Sequence, residues 1–133
     1  MKLVTALLLL FTLAMVAVHL TSGRLLRRAW SGRAPRWLSV LSIFRFEAIY
    51  YLGLMGYVAW QRSRFLLAPL VVMAVLHVAG WALAEARPGW LVNAGGQAGR
   101  TRILAGVQAF DLAETVVLVY IAWVLAEAII SHS

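Results

Sequence analysis

From Leu3 to Gly23, and again from Phe65 to Ala84, the chain carries no charged residue. A run of about 20 apolar residues is what a helix needs to cross the hydrocarbon core of a bilayer. Two such runs in a chain of 133 residues leave little room for anything except a membrane bundle. Composition agrees, because only 13% of the side chains are charged and 63% are hydrophobic, whereas soluble domains carry about 25% charged residues. The mean hydropathy of +0.86 excludes a water-exposed catalytic domain. The chain has no cysteine, which removes disulfides, thiolate nucleophiles, Cys-ligated zinc and iron-sulfur clusters from consideration.

Met1-Lys2 followed by a Leu-rich run also has the form of a secretory signal. No A-x-A triplet follows Leu13, the run is longer than an h-region of about 7–15 residues, and the Arg cluster behind it resembles a stop-transfer flank. We therefore expect it to be a retained span. A second span is expected from about Trp37 to Trp60, interrupted by Arg45 and Glu47, and a fourth from Ile103 to Ala126, carrying Asp111 and Glu114. Only Gln61, Arg62, Ser63 and Arg64 separate the second span from the third, so these two should form a tight hairpin. Pro69 falls near the first turn of the third span and Pro88 follows its end as a stop signal. A barrel would need short strands of alternating polarity, and these runs are continuously apolar.

Lys and Arg are distributed unequally over the connections. Arg24, Arg27, Arg28, Arg33 and Arg36 follow the first span and Arg87, Arg100 and Arg102 follow the third, against Lys2, Arg62 and Arg64 on the other side. The positive-inside rule then places both large loops in the cytoplasm and both termini outside, in a multi-pass protein of the inner membrane. Trp30, Trp37, Trp81 and Trp90 should mark the cytoplasmic interface, and Trp60 and Trp123 the outer one. The net charge of +7 thus reads as topology and attraction to anionic headgroups. It does not read as nucleic-acid binding, for which the chain has no basic soluble module.

The chain also resembles itself. Met15-Val16-Ala17-Val18-His19-Leu20 parallels Met73-Ala74-Val75-Leu76-His77-Val78, and Phe46-Glu47 through Tyr57-Val58-Ala59-Trp60 parallels Phe110-Asp111 through Tyr120-Ile121-Ala122-Trp123. Leu, Val and Ala match cheaply between apolar helices, so the weight rests on His, acid and Trp recurring in the same order. The expected fold is an all-α polytopic membrane protein, a single membrane domain over residues 1–133. It is a four-transmembrane-helix bundle built from two tandem helical-hairpin repeats of about residues 1–62 and 63–133, related by an axis along the membrane normal.

Each repeat supplies one histidine and one acid. Counted from the Arg boundaries at a rise of about 1.5 Å per residue, His19 and His77 lie roughly 13–15 Å deep, and Glu47 and Asp111 lie at about the same level. Glu114 shares a helical face with Asp111, three residues away. Ionisable groups in hydrocarbon turn inward and pair, so His19, Glu47, His77, Asp111 and Glu114 form the candidate site, with the two histidines as cofactor ligands and all five as metal ligands. Arg45 lies on a different face from Glu47, which suits it to serve a neighbouring helix; in the bland reading it neutralises Asp111 or Glu114. In the bland alternative the histidines donate to helix carbonyls or Tyr hydroxyls and only specify packing.

The remaining signals are weaker. Asn93 to Arg102 is rich in Gly and Arg but follows no strand and lacks a P-loop ending, so it reads as a flexible loop near headgroups. Tyr50, Tyr51, Tyr57 and Tyr120 read as packing or interfacial residues, and Glu127 to His132 as a solvated terminus. No hydrolase or metalloprotease signature is present.

These residues suit an accessory or structural subunit of a larger membrane assembly, or a homo-oligomer, with an intramembrane His/carboxylate site. As an alternative they admit a bundle that binds a divalent metal or haem b, since paired imidazoles suit haem iron and imidazoles with carboxylates suit Zn, Mn or non-haem Fe, although the carboxylates count against a porphyrin. A small proton- or cation-coupled transporter is the third reading, and an enzyme acting on lipid the fourth and smallest.

Overall fold

The computed structural model describes residues 2–33, 39–61, 64–87 and 96–131. Among these the chain is all-helical. It forms α1 (Lys2–Trp30), α2 (Val40–Trp60), α3 (Arg64–Ala86) and α4 (Gly96–Ile130). Three segments, Lys2–Trp30, Leu67–Ala86 and Gly96–Ile130, are long and apolar enough to cross a membrane. The expected second span is outside that set, because Arg45 and Glu47 fall within the 21 residues of α2 and dilute its hydropathy. Its start also differs from the expected one. Ser39 caps the helix with its side chain, which accepts from the Ser42 amide at 3.1 Å, so α2 begins at Val40. Trp37, like Arg36, Arg62, Ser63, Pro88, Trp90 and His132, lies outside the described residues.

The outer helices run further than their apolar segments. Arg24, Arg27 and Arg28 belong to the last turns of α1, and Gly96 to Arg102 form the first turns of α4. The Gly- and Arg-rich stretch expected as a loop is therefore helical from Gly96 onward, with residues 93–95 outside the described set. Arg is a good helix former, and the extension is held laterally: Leu26 is buried, and the Arg100 guanidinium lies 5.8 Å from the Trp30 ring centroid. Glu127 likewise stays helical. Pro69 is the sixth residue of α3, inside the helix just past its first turn.

The chain divides into two compact units, α1 with α4 and α2 with α3. The expected hairpins of residues 1–62 and 63–133 are thus not the packed pairs, since each would contribute one helix to each unit. Both pairs are antiparallel: Trp30 meets Arg100 and His19 meets Asp111 in the first, while Phe44 meets Gly80 and Glu47 meets His77 in the second.

The buried residues of α1 are Thr5, Thr12, Met15, His19, Gly23 and Leu26, and those of α4 are Asp111, Glu114, Leu118, Ile121 and Leu125. This is a three-and-four alternation, the seam of left-handed packing between nearly aligned helices. The same alternation recurs in the second unit at Glu47, Tyr51, Leu54 and Val58 on α2 and at Leu70, Ala74, His77 and Ala84 on α3. Hydroxyls elsewhere are satisfied by their own helices: Thr12 donates to Leu8 O, Thr21 to Ala17 O and Thr115 to Asp111 O, each at 2.7 Å. Meanwhile Leu3, Leu10, Leu20, Leu112, Val116 and Ile130 are each more than 60% exposed. The helices thus turn polar residues inward and aliphatic residues outward, the arrangement that a hydrocarbon solvent selects.

At Gly80 the Phe44 ring of α2 packs against the α3 backbone. A Cβ built there would stand 2.8 Å from Phe44 Cε1, whereas at Gly53 it would meet nothing within 4 Å. Gly80→Val should therefore destabilise the detergent-solubilised protein by about 1–3 kcal/mol, and Gly53→Ala should leave the thermal midpoint unchanged or higher. Equal midpoints for the two variants would refute this packing.

Candidate functional site

In the α1–α4 unit, His19 stands between two acids of the facing helix. Its Nδ1 lies 3.0 Å from Asp111 Oδ1 and its Nε2 lies 3.4 Å from Glu114 Oε1. Helical spacing makes this possible, since Asp111 and Glu114 are neighbours on one face of α4. The hydroxyl of Ser22, one turn after His19, donates to the other carboxylate oxygen of Asp111. Asp111 thereby accepts from both sides, and its bond to Nδ1 assigns the proton to that nitrogen. His19, Asp111 and Glu114 are all buried, at 5%, 8% and 2% exposure.

Ser22, His19 and Asp111 are the residue types of a hydrolase triad, but they are connected in the wrong order. The hydroxyl bonds the carboxylate and not the imidazole, so the ring is not placed to take its proton.

The α2–α3 unit repeats the arrangement with one change. His77 Nδ1 donates to the Met73 carbonyl at 2.8 Å, the ring again fixed through Nδ1, and Nε2 faces Glu47 Oε2 at 3.8 Å. The Tyr51 ring covers His77, with centroids 4.6 Å apart and planes inclined at 33°, and Tyr50 packs edge-on against Tyr51. His77 and Glu47 are buried. The two units thus share one motif, an imidazole oriented through Nδ1 by an oxygen acceptor with Nε2 turned to a carboxylate on the partner helix.

Of the five expected site residues, the structure brings His19, Asp111 and Glu114 together in one unit, and His77 and Glu47 in the other. The expectation that His77 donates to a helix carbonyl is met at Met73. His19 takes a carboxylate instead. Arg45 neutralises neither Asp111 nor Glu114. Its guanidinium pairs with Glu85 on α3, where Nε donates to Oε1 at 3.0 Å and the Trp81 indole donates to the same oxygen at 3.0 Å. These side chains are about half-exposed, at 49% for Arg45 and 45% for Glu85. Sequence reasoning passed over Glu85 because it follows the charge-free run, although a lone Arg inside a span needs an acid within reach. Ser22 was missed too, one turn from His19.

With Nδ1 engaged by Asp111, Nε2 is the ring nitrogen that faces Glu114. With Nδ1 protonated, a neutral imidazole presents its Nε2 lone pair to a carboxylate oxygen, and two such electron-rich atoms face each other favourably only around a cation, either a proton or a metal ion. A nitrogen-to-oxygen hydrogen bond spans about 2.7–3.2 Å. Two ligands of one tetrahedral ion, each about 2.0–2.2 Å from it, stand about 3.3–3.5 Å apart. The 3.4 Å between His19 and Glu114 matches the second spacing.

No protein-family model, curated protein or solved structure matches the chain.

Breaking a buried pair leaves its partner charge or donor stranded, at a cost of about 3–5 kcal/mol. Asp111→Ala should therefore lower the thermal midpoint in detergent markedly, and Asp111→Asn less, because it retains an acceptor for Nδ1. Glu85→Ala, which removes a half-exposed partner, should leave the midpoint near that of the parent. A larger loss at Glu85 than at Asp111 would contradict this ranking.

Proposed function

We propose that the chain is a small multi-pass inner-membrane protein, an accessory subunit of a membrane assembly, whose intramembrane histidine–carboxylate site binds a divalent first-row metal ion. One observation carries the metal reading. His19 is oriented through Nδ1 by Asp111 while Nε2 stands 3.4 Å from Glu114 Oε1. Metal-ligating histidines characteristically donate their other nitrogen to a carboxylate or backbone carbonyl. His19 and Glu114 are then the ligands, and Asp111 is the residue that orients the imidazole. His77 and Glu47 repeat the orientation in the second unit, with Met73 O in the orienting place, but stand 3.8 Å apart, wider than that ligand spacing. Nitrogen and carboxylate donors without thiolate favour Zn, Mn or Fe(II). Haem b suits this geometry less well, because the carboxylate facing Nε2 stands where the macrocycle would extend around the iron.

The accessory role rests on the wealth of exposed aliphatic side chains, which suit packing against other membrane subunits. Tandem duplication is supported by burial. When His19 is set on His77, Thr12 falls on Leu70 and Leu26 on Ala84, all buried. When Asp111 is set on Glu47, Glu114 falls on Tyr50 and Leu118 on Leu54, again all buried.

Cobalt(II) titrated into the chelator-treated, detergent-purified protein should produce visible ligand-field absorption. His19→Ala should abolish the unit's share of that signal, and Glu114→Gln should weaken it. Silence in the parent protein, or an undiminished spectrum in both variants, would refute metal binding and leave a structural clasp. For topology, single cysteines at Ser31, Ser63 and Gly95 of this cysteine-free chain serve as reporters. Only the cysteine at 63 should react with an impermeant reagent in intact cells; reaction at 31 and 95 instead would reverse the orientation.

A further inference from the structure

Beside the histidine, the α1–α4 unit opens into a cleft of about 410 Å³. Its deep end is His19 and Asp111, and towards the end of α1 it is bordered by Arg24 and Arg27. From His19 to Arg27 the helix climbs roughly 12 Å, so the cleft reaches from the level of the buried carboxylates to the basic end of the span. Arg24 and Arg27, three residues apart, share one helix face. Both are exposed, and among the described residues no salt bridge engages either one. The only acid in the lining is Asp111, which already accepts from His19 and Ser22. Gln108 adds an exposed amide. Two guanidiniums and an amide around an opening without a free carboxylate are the donor set for a phosphate group.

The flanks determine which kind of phosphate. Leu20 and Leu112 line the same cleft and are 66% and 65% exposed. A free phosphate ion would leave them uncovered, whereas a phospholipid whose headgroup meets the arginines lays its acyl chains along such side chains. We propose that this cleft is a specific site for one anionic phospholipid, with the phosphate held by Arg24 and Arg27, Gln108 donating to the headgroup, and the chains packed on Leu20 and Leu112. The site stands independently of metal binding, since none of the phosphate donors is a proposed metal ligand. It differs from diffuse attraction of a basic surface to lipid in being saturable and tied to two particular cations.

The test uses the full chain in a mild neutral detergent, with thermal stability read as phosphatidylglycerol, phosphatidylcholine, glycerol 3-phosphate or inorganic phosphate is titrated in. Phosphatidylglycerol should raise the midpoint saturably, and the other three should not. R24Q/R27Q should weaken the apparent affinity about 30-fold, from the contribution of two interfacial cations. R24K/R27K should retain much of the affinity and show that substitution at these positions leaves the protein folded. R33Q/R87Q removes the same charge elsewhere and should leave the affinity unchanged. Equal weakening in R24Q/R27Q and R33Q/R87Q would overturn the proposal in favour of a diffuse basic surface. A matching response to glycerol 3-phosphate or inorganic phosphate would overturn it in favour of a free-phosphate site.

Discussion

The bond between His19 and Asp111, with its counterpart between Met73 O and His77 beside Glu47, is the constraint on which the rest of the molecule depends. Helices this apolar gain little by burying leucine against leucine, because lipid tails are as apolar as the side chains they would replace. A histidine or a carboxylate in hydrocarbon, by contrast, is costly until it meets a partner. The polar residues therefore choose which face of each helix turns inward, and leucine and valine take what remains. That is why Glu114 is among the most deeply buried side chains while Leu20 and Val116 are two-thirds exposed.

Once the polar face is chosen, the packing follows from spacing. Thr5, Thr12, His19 and Leu26 recur every seventh residue along α1, and Asp111, Leu118 and Leu125 do so along α4. An antiparallel pair with that period keeps one seam in contact over its whole length. The seam extends α1 and α4 beyond their apolar segments to Trp30 and Arg100, where a cation over an aromatic ring holds the basic ends together. Gly80 performs the equivalent service in the other unit by admitting the Phe44 ring.

Chemistry and mechanics are carried by the same few atoms. In the α1–α4 unit the Asp111 oxygen that orients the His19 imidazole also ties the two helices together, so this contact is difficult to lose without loosening the fold. In the α1–α4 unit the same carboxylate has a third neighbour, the cleft that runs up to Arg24 and Arg27. At that end of the cleft Asp111 accepts from His19 and Ser22.

By itself the sequence determined that the chain is helical and apolar enough to enter a bilayer, and it singled out His19, Glu47, His77, Asp111 and Glu114, since rare ionisable groups in apolar runs stand out in composition alone. The recurrence of Thr5, Thr12 and His19 was legible too, but hydropathy hides it, because every face of such a helix scores as apolar. Only the tertiary structure decided which helix each histidine faces. The short connection after Gln61 already paired α2 with α3, as the structure does, but the tandem-hairpin reading set α1 beside α2, whereas α1 packs on α4. Tertiary contacts also decided that Arg45 answers Glu85 rather than Asp111 or Glu114, that Asp111 orients while Glu114 faces Nε2, and that the arginines after Gly23 continue a helix. The physical reason is common to all of these. Spacing along a chain specifies which residues share a helix face, but the partner across a helix interface is set by side-chain reach and by the need to satisfy every buried polar group at once.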